Sequence, residues 1–249
     1  MKNRNTGRLS RREFGSRLLI ASTGLGLASL FTGNVSLAQA SAPMNIGIIG
    51  SGRMGGAVGK RWAEAGHNIL FSSRNPDQLS ELVTSAGANA RAGYPADAAA
   101  FGEVVFIAVP YGALPQIGQD FATAMQGKVV IECGNPRADR DGPMADAAIA
   151  KGTGIASEEY LPGVRLVRAL NAISFAEVEQ QAHRQGELIG VPIAGDDADA
   201  VAIASQLVTD CGFDPVVVGG LQRAREFDRG TEVYVKGLTA QQLRTALNL

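Results

Sequence analysis

The sequence contains few of the residue types that most often carry acid–base, nucleophilic or metal chemistry. It has only two cysteines, Cys133 and Cys211, and two histidines, His67 and His183. Neither pair shows metal-ligand spacing, so no metal site is expected. Both cysteines end apolar segments, which favours two buried free thiols, with a disulfide as the alternative. Because no His, Cys or Lys arrangement suited to catalysis is present, we expect no catalytic acid, base or nucleophile.

The first forty residues lack the pattern of a folded domain. Residues 1–17 carry six basic side chains and one acidic side chain, and residues 18–40 carry no charge. The segment Ser10-Arg11-Arg12-Glu13-Phe14 matches a twin-arginine export signal, and Ala38-Gln39-Ala40 matches a cleavage site. We therefore predict a cleaved signal peptide over 1–40, recognition by the twin-arginine export machinery, a periplasmic or exported protein and no stable membrane anchor. A retained anchor is the alternative, because the apolar run is just long enough to span a bilayer.

The balance of charge excludes one class of partner. The whole chain has a net charge of −1, and without residues 1–40 this becomes about −6. An acidic protein repels phosphate backbones, so we expect no nucleic-acid partner. The length of 41–249 suits one domain with an ample core. Nothing in the pattern identifies an interface, and a homodimer stays open.

Apolar runs alternate with helical patterns along the rest of the chain. We predict strands over 44–50, 67–73, 89–93, 103–110, 128–136, 164–174, 187–195 and 213–220. We predict helices over 52–66, 75–85, 94–102, 111–125, 142–152, 197–212 and 238–249. This alternation predicts an α/β fold with a doubly wound parallel sheet, the NAD(P)-binding Rossmann fold, and a C-terminal α/β extension. We expect one domain over 41–249, with a nucleotide-binding half at 44–137 and an extension at 138–249 that carries a second ligand.

The turn after the first predicted strand has the form G-x-G-x-x-G, with glycines at Gly50, Gly52 and Gly55. The motif is weak alone, but here it follows a strand and opens a helix within a β-α-β unit. The first glycine permits a tight turn, the second lets the backbone approach a pyrophosphate, and the third allows close helix–strand packing. The helix N-terminus would offer free N–H groups to the phosphates.

The end of the second predicted strand indicates which dinucleotide binds. An NAD enzyme usually has an acidic residue here to hold the ribose 2′-hydroxyl. This chain has Ser72, Ser73 and Arg74 instead. Hydroxyls can donate hydrogen bonds to a phosphate and a guanidinium can pair with it, and Arg53 is close enough in sequence to help. The sequence therefore predicts NADP(H) rather than NAD(H).

The chain resembles a known family, the NADP oxidoreductases dependent on the deazaflavin coenzyme F-420. The resemblance rests on IGIIGSGRMGGAVGKRWAEAGHNILFSSRNP, VVFIAVPYGA, VIECGNP, LVRALNAIS and GVPIAGDDADA, and it covers nearly all of 44–230. The NADPH-binding domain of the six-transmembrane ferric reductases of animals is similar. The resemblance implies NADP(H) as cofactor and a small-molecule redox acceptor, which in such proteins is the deazaflavin, a flavin or a ferric ion.

The resemblance also implies roles for individual residues. It places Gly50, Ser51, Gly52, Arg53 and Met54 at the pyrophosphate, and Ser73, Arg74 and Asn75 at the 2′-phosphate. It places Val109, Pro110 and Asn135 near the ribose and nicotinamide, and Asn171 and Ala172 beside the second ligand. With Gly55 and Ser72 from the motif itself, these residues form the expected cofactor site.

We interpret the protein as an NADP(H)-dependent oxidoreductase that transfers a hydride between NADPH and a second redox cofactor or acceptor. Such a transfer needs two aligned planar rings more than it needs an acid or a base. One alternative is a non-catalytic NADP-binding sensor or scaffold. A hydroxyacid or imine dehydrogenase is less favoured, because such enzymes have a long all-helical second domain. Here about 85 residues follow 165 and include two β-rich runs.

Overall fold

The computed structural model describes residues 42–249, and the predicted signal peptide lies outside them. Within the described part, eight segments form strands of one sheet. In chain order they are β1 (Asn45–Ile49), β2 (Asn68–Ser72), β3 (Ala90–Gly93), β4 (Val104–Ile107), β5 (Val129–Glu132), β6 (Arg165–Ala169), β7 (Gly190–Gly195) and β8 (Asp214–Gly219). Each matches a strand predicted from the sequence, although the observed strands are shorter at their ends.

Ten α-helices connect or flank these strands in the described residues. They are α1 (Arg53–Glu64), α2 (Ser80–Ala86), α3 (Pro95–Phe101), α4 (Leu114–Met125), α5 (Ala138–Asp141), α6 (Pro143–Lys151), α7 (Thr153–Tyr160), α8 (Phe175–Gln181), α9 (Ala198–Asp210) and α10 (Ala240–Ala246). Short 3₁₀ helices occupy Pro76–Leu79, Tyr111–Ala113 and Leu221–Phe227. The sequence pattern did not predict α5, α7, α8 or the third 3₁₀ helix.

The strand order is β3-β2-β1-β4-β5-β6-β7-β8. All neighbouring pairs are parallel except β6 with β7, which are antiparallel. The fold is therefore the expected Rossmann-type α/β fold, with a mostly rather than wholly parallel sheet. The sheet continues through the predicted boundary at residue 137, and the described residues belong to one compact unit.

Both faces of the sheet are covered over its central strands, which explains why these strands are mostly apolar. One core cluster includes Trp62, which donates a 2.7 Å hydrogen bond from its indole N–H to the carbonyl of Leu207. A second cluster on the other side includes Tyr111 and Leu114. A third covers the end of the sheet near β8 and contains Phe227.

Local sequence signals explain several helix ends. Ser174, Asp197 and Thr239 cap helices α8, α9 and α10 by accepting hydrogen bonds from backbone N–H groups. Asn75 stands before the first 3₁₀ helix, but its side chain makes no capping hydrogen bond. No helix among residues 42–249 combines the length and apolar character needed to cross a bilayer.

Candidate functional site

The candidate site lies at the carboxyl ends of the parallel strands, where the chain order of the sheet reverses. Strand β1 is central, with β2 and β3 on one side and β4 and β5 on the other. Loops that leave β1 and β4 therefore run in opposite directions and leave a crevice between them. Open α/β sheets bind nucleotides in such a crevice.

The glycines of the first loop have the geometry that their spacing predicted. Gly50 has a φ of +98°, and a Cβ there would lie 2.6 Å from the carbonyl oxygen of Ala108. A Cβ on Gly55 would lie 2.0 Å from the carbonyl oxygen of Gly50, so helix α1 can approach β1 only without a side chain there. A Cβ on Gly52 would meet nothing within 4 Å. The loop is therefore closely packed at its two ends and open at its centre.

The start of helix α1 is suited to an anion. Its N-cap residue, Gly52, offers no side-chain hydrogen bond, and its first turn contains no acidic residue. The N–H groups of the first turn are thus left to a ligand or water, and the helix dipole favours negative charge there. Beside them, the buried Oγ of Ser51 has no hydrogen-bond partner among the described residues. The open cradle at Gly52 and this orphaned hydroxyl fit a pyrophosphate.

Ser72 occupies a different place from the one its sequence position suggested. It is fully buried, and its hydroxyl donates a 2.6 Å hydrogen bond to the carbonyl of Ile48 on β1. Its own carbonyl accepts a 3.1 Å hydrogen bond from the N–H of Ser51. The strand is covered on both faces to its last residue, so a side chain at this position stays inside. Ser72 therefore supports the glycine loop from below, and its hydroxyl does not face the 2′-phosphate position.

The next three residues leave the sheet and reach the surface. Ser73 is half-buried, and its Oγ accepts a 3.1 Å hydrogen bond from the N–H of Asn75. Arg74 and Asn75 are exposed. No ion pair or side-chain hydrogen bond among residues 42–249 engages Arg74. Its guanidinium is therefore free for a phosphate beyond the end of β2.

Arg53 extends from the glycine loop toward helix α8. Its guanidinium carbon lies 4.5 Å from the ring centroid of Phe175, a cation–π contact. Phe175 follows the loop after β6, so this contact joins the glycine loop to the segment that contains Asn171 and Ala172. The adjacent Met54 is half-buried and packs against the core of the sheet.

The residues predicted for the nicotinamide side come together at the ends of β4, β5 and β6. A Cβ on Gly50 would lie 2.6 Å from Cγ1 of Val109, so Val109 lies against the glycine loop, and Pro110 beside it is exposed. Asn135 donates a 2.8 Å hydrogen bond from Nδ2 to the carbonyl of Asn171. Ala172 is 8 % exposed and offers a small surface next to Asn171.

A segment near the C-terminus completes this side, and sequence reasoning missed it. The N–H of Arg229 donates to Oδ1 of Asn135 at 3.2 Å, and the N–H of Val235 donates to the carbonyl of Ala172 at 2.8 Å. Leu170 and Val235 both have left-handed backbone conformations, with φ of 63° and 51°. Non-glycine residues held in this region cluster at functional sites. We call residues 227–235 the closing segment.

Beneath these loops lies a buried ionic network that the sequence pattern also did not reveal. Arg168 on β6 pairs with Glu132 on β5 through Nη1, and with Asp228 through Nη2 at 3.2 Å. Glu132 and Arg168 are at most 1 % exposed. Burial raises the pKa of the Glu132 carboxyl, and the guanidinium of Arg168 opposes this shift. The two residues are register partners on neighbouring strands, a pairing that only the folded sheet reveals.

The cysteines, His67 and Tyr111, which could carry thiol or acid–base chemistry, are all buried. Cys133 and Cys211 are buried free thiols, as predicted, and burial raises the pKa of both. His67 lies at the opposite end of the sheet, and its Nε2 is 3.1 Å from Oδ2 of Asp210. Tyr111 points into the core, where its hydroxyl lies 2.9 Å from that of Ser157. Among residues 42–249, no three His, Cys, Asp or Glu side chains are grouped to hold a metal.

The fold and the crevice are those of a dinucleotide-binding domain. In comparison with known proteins, residues 45–136 match the family described as NADP oxidoreductase, coenzyme F420-dependent. The matched range contains the glycine loop, the end of β2 and the loops after β4 and β5. The resemblance predicted from the sequence is confirmed, and the family and relatives that the chain matches are NADP-dependent oxidoreductases or reductases.

Three relatives illustrate the range of this similarity. The rat metalloreductase STEAP3 is 28 % identical over 203 residues, which are 79 % of this chain and 38 % of that protein. A hypothetical protein of Sinorhizobium meliloti has a similar structure, with a TM-score of 0.69, 25 % identity and coverage of 79 % of this chain and 94 % of the other. An Arthrobacter protein provisionally named an F420-dependent NADP reductase superposes with a TM-score of 0.63 at 22 % identity, covering 73 % and 87 % of the two chains. The last similarity is one of fold.

Proposed function

We propose that this protein binds NADP(H) in the crevice above β1 and β4 and transfers a hydride between NADPH and a second redox cofactor or acceptor. The observation that carries the proposal is the open cradle at Gly52 together with the unpaired guanidinium of Arg74. A pyrophosphate needs the first feature, and a 2′-phosphate needs the second. The end of β2 offers no acidic side chain to hold a 2′-hydroxyl or repel a phosphate.

The protein's part in the reaction is binding and alignment. NADPH, when bound, supplies the hydride. Gly50, Gly52 and the first turn of α1 would hold the pyrophosphate, and Arg74 would hold the 2′-phosphate, with Ser73 and Asn75 beside it. The small side chain of Ala172 would let two planar rings approach closely. The apolar ends of β4 and β6 would exclude water from the reacting atoms.

The acceptor is proposed as a deazaflavin, a flavin or a ferric complex. The family that the chain matches is described by its dependence on coenzyme F420, and STEAP3 is named as a metalloreductase. The chain spans 38 % of the length of STEAP3, so that relative supports the nucleotide half of the proposal more than the ferric half. Asn135, Asn171 and the closing segment would contact the acceptor or the nicotinamide.

A non-catalytic NADP-binding sensor or scaffold is the second candidate. It is favoured by the burial of both cysteines and by the lack, among residues 42–249, of a group of side chains that could hold a metal. A hydroxyacid or imine dehydrogenase is disfavoured by the region after β6. That region adds strands β7 and β8 to the same sheet, where such enzymes have a helical domain.

We further propose that the chain is exported in folded form and carries NADP(H) with it. This rests on the twin-arginine pattern in residues 10–14 and on the expectation that NADPH is not freely exchanged outside the cytoplasm. Nucleotide analysis of protein purified from the periplasmic fraction tests this proposal. Stoichiometric NADP(H) supports it, and a nucleotide-free protein with weak affinity contradicts it.

An acceptor screen decides between the enzyme and the sensor. NADPH oxidation is followed by its absorbance with coenzyme F-420, FMN, FAD, riboflavin or ferric citrate in turn. The enzyme proposal predicts multiple turnovers with one of these acceptors and, at NADPH concentrations below its Kd, roughly tenfold slower turnover in Arg74→Ala. Tight NADPH binding without turnover on any acceptor would instead favour the sensor.

A further inference from the structure

Two fully buried charges lie directly under the loops that form the nicotinamide side of the crevice. Glu132 is the last residue of β5, and Arg168 is the penultimate residue of β6. The side chain of Arg168 is inaccessible to solvent, and that of Asp228, its second partner, is 16 % exposed. The guanidinium of Arg168 thus has a carboxylate on each side, and we call Glu132, Arg168 and Asp228 the triad.

The triad holds both polar backbone groups of Gly134, the residue before Asn135. The N–H of Gly134 donates to Oε1 of Glu132, and its carbonyl accepts a 2.9 Å hydrogen bond from Nη1 of Arg168. The other carboxylate oxygen of Glu132 accepts a 3.0 Å hydrogen bond from Ser157 on α7. The peptide that leads into Asn135 is thus fixed on both sides by the ion pair.

Asp228 extends the triad into the closing segment and the loop after β6. Its carboxylate accepts hydrogen bonds of 2.6 and 2.7 Å from the hydroxyl of Thr153. It also lies 3.4 Å from Nδ2 of Asn171. One network therefore ties together the loops after β5 and β6 and the closing segment, which come from distant parts of the chain.

Stability alone is a poor reason for such a network. Taking charges out of water is energetically costly, and a hydrophobic side chain of similar volume often stabilises a protein as well. The ionic network instead fixes the positions of the groups around it. The guanidinium of Arg168 bonds Glu132, Gly134 and Asp228 at once, and it can do so in only one orientation. The left-handed backbones of Leu170 and Val235 need such surrounding restraint to persist.

We propose that Arg168, with Glu132 and Asp228, is a positioning residue that aligns the walls around the nicotinamide and the acceptor. It acts through Gly134, Asn135, Asn171 and the closing segment, and it does not itself touch either ligand. The phosphate end of the site, at Gly52 and Arg74, lies outside this network. The proposal rests on the proposed function, because it assigns the network to one half of the NADP(H) site.

The test separates the two halves of the site by using two probes. Adenosine 2′,5′-bisphosphate lacks the nicotinamide, whereas NADPH carries it and reports its immobilisation by fluorescence anisotropy. The variants are Asp228→Asn, Arg168→Lys and the double variant Glu132→Gln/Arg168→Met, which removes both fully buried charges together and leaves the partly exposed Asp228 hydrogen-bonded to Thr153. Arg165→Met is the matched control, because Arg165 lies on the same strand as Arg168. Its Nη2 pairs with Oδ1 of Asp197 at 2.7 Å, and this ion pair lies away from the crevice.

We expect all variants to bind adenosine 2′,5′-bisphosphate within about twofold of the wild type. In the double variant, NADPH affinity should fall about tenfold, and the anisotropy of bound NADPH should drop toward that of the free nucleotide. Arg168→Lys should restore part of the anisotropy, because an ammonium can reach Glu132 or Gly134 but cannot hold the whole fork. Arg165→Met should change neither the affinity for either probe nor the anisotropy of bound NADPH.

Unchanged NADPH affinity and anisotropy in Asp228→Asn and in the double variant would overturn the proposal. An equal loss of affinity for both probes would also overturn the proposal, since it would indicate a role in folding only. If thermal melts show that the double variant is unfolded, Asp228→Asn decides, because it is isosteric and its site is partly exposed. Failure of the wild-type protein to bind either probe would instead overturn the proposed function, so the two failures are distinguishable.

Discussion

Replacing Arg74 with alanine should weaken NADPH much more than NADH. In the free protein Arg74 is exposed and has no partner among the described residues, so its loss should leave the fold and its melting temperature unchanged. Its contribution then appears wholly in binding, as a charged hydrogen bond to the 2′-phosphate. Such a bond contributes about 1.5–3 kcal/mol, and exposure to solvent places the expected loss near the lower end.

This loss corresponds to roughly a tenfold or greater rise in the Kd for NADPH. Fluorescence titration of wild type and variant with both nucleotides measures it, and the NADPH effect should diminish at high salt. Arg91→Ala is the control, because Arg91 is an exposed arginine on β3 whose guanidinium lies 4.1 Å from the ring centroid of Phe101. If NADPH and NADH weaken equally, or if neither weakens, the role assigned to Arg74 is wrong.

Three further predictions follow from contacts near the crevice. Gly52→Val should fill the open cradle and abolish NADPH binding without lowering the melting temperature. Gly55→Ala should lower the melting temperature, because the new Cβ would lie 2.0 Å from the carbonyl oxygen of Gly50. Preserved NADPH binding in Gly52→Val would contradict the role of Gly52 in holding the pyrophosphate. Ser72→Ala should destabilise the protein by about 1 kcal/mol through the lost hydrogen bond and leave the NADPH/NADH preference intact. A shift in that preference, seen by titration beside chemical denaturation, would restore Ser72 to the phosphate site. Cys133 and Cys211 should resist a thiol reagent at pH 8 until the protein is unfolded, because burial raises the pKa of both thiols. Rapid labelling of native protein would show that either thiol is accessible.

Most of the fold could be predicted because its signals are local. Buried parallel strands are short apolar runs, and the glycine loop carries its own spacing, so the eight strands and the crevice at β1 were predictable. The orientation of β7 was not, because an apolar run reads the same in either direction. Helix α7 also lacked a clear apolar period.

The residues of the candidate site were predictable only where a single segment of the sequence is enough to place them. The opening at Gly52 and the exposure of Arg74 follow from position in the β-α-β unit. Ser72 shows the limit of that reasoning, since neighbouring residues at a strand end can face the core or the solvent. The triad and the closing segment depend on contacts between residues far apart in sequence, such as Arg168 and Asp228. No local pattern encodes such a pairing.

The measurement that tests the central claim most directly is the affinity of the purified protein for NADPH and for NADH. Equilibrium titration, with fluorescence of the nucleotide as the signal, gives both constants in one buffer. Our account predicts saturable binding of one NADPH per chain, with a preference over NADH of about tenfold or more, the loss expected on removing Arg74. Absence of NADPH binding, or equal affinity for the two nucleotides, would contradict it.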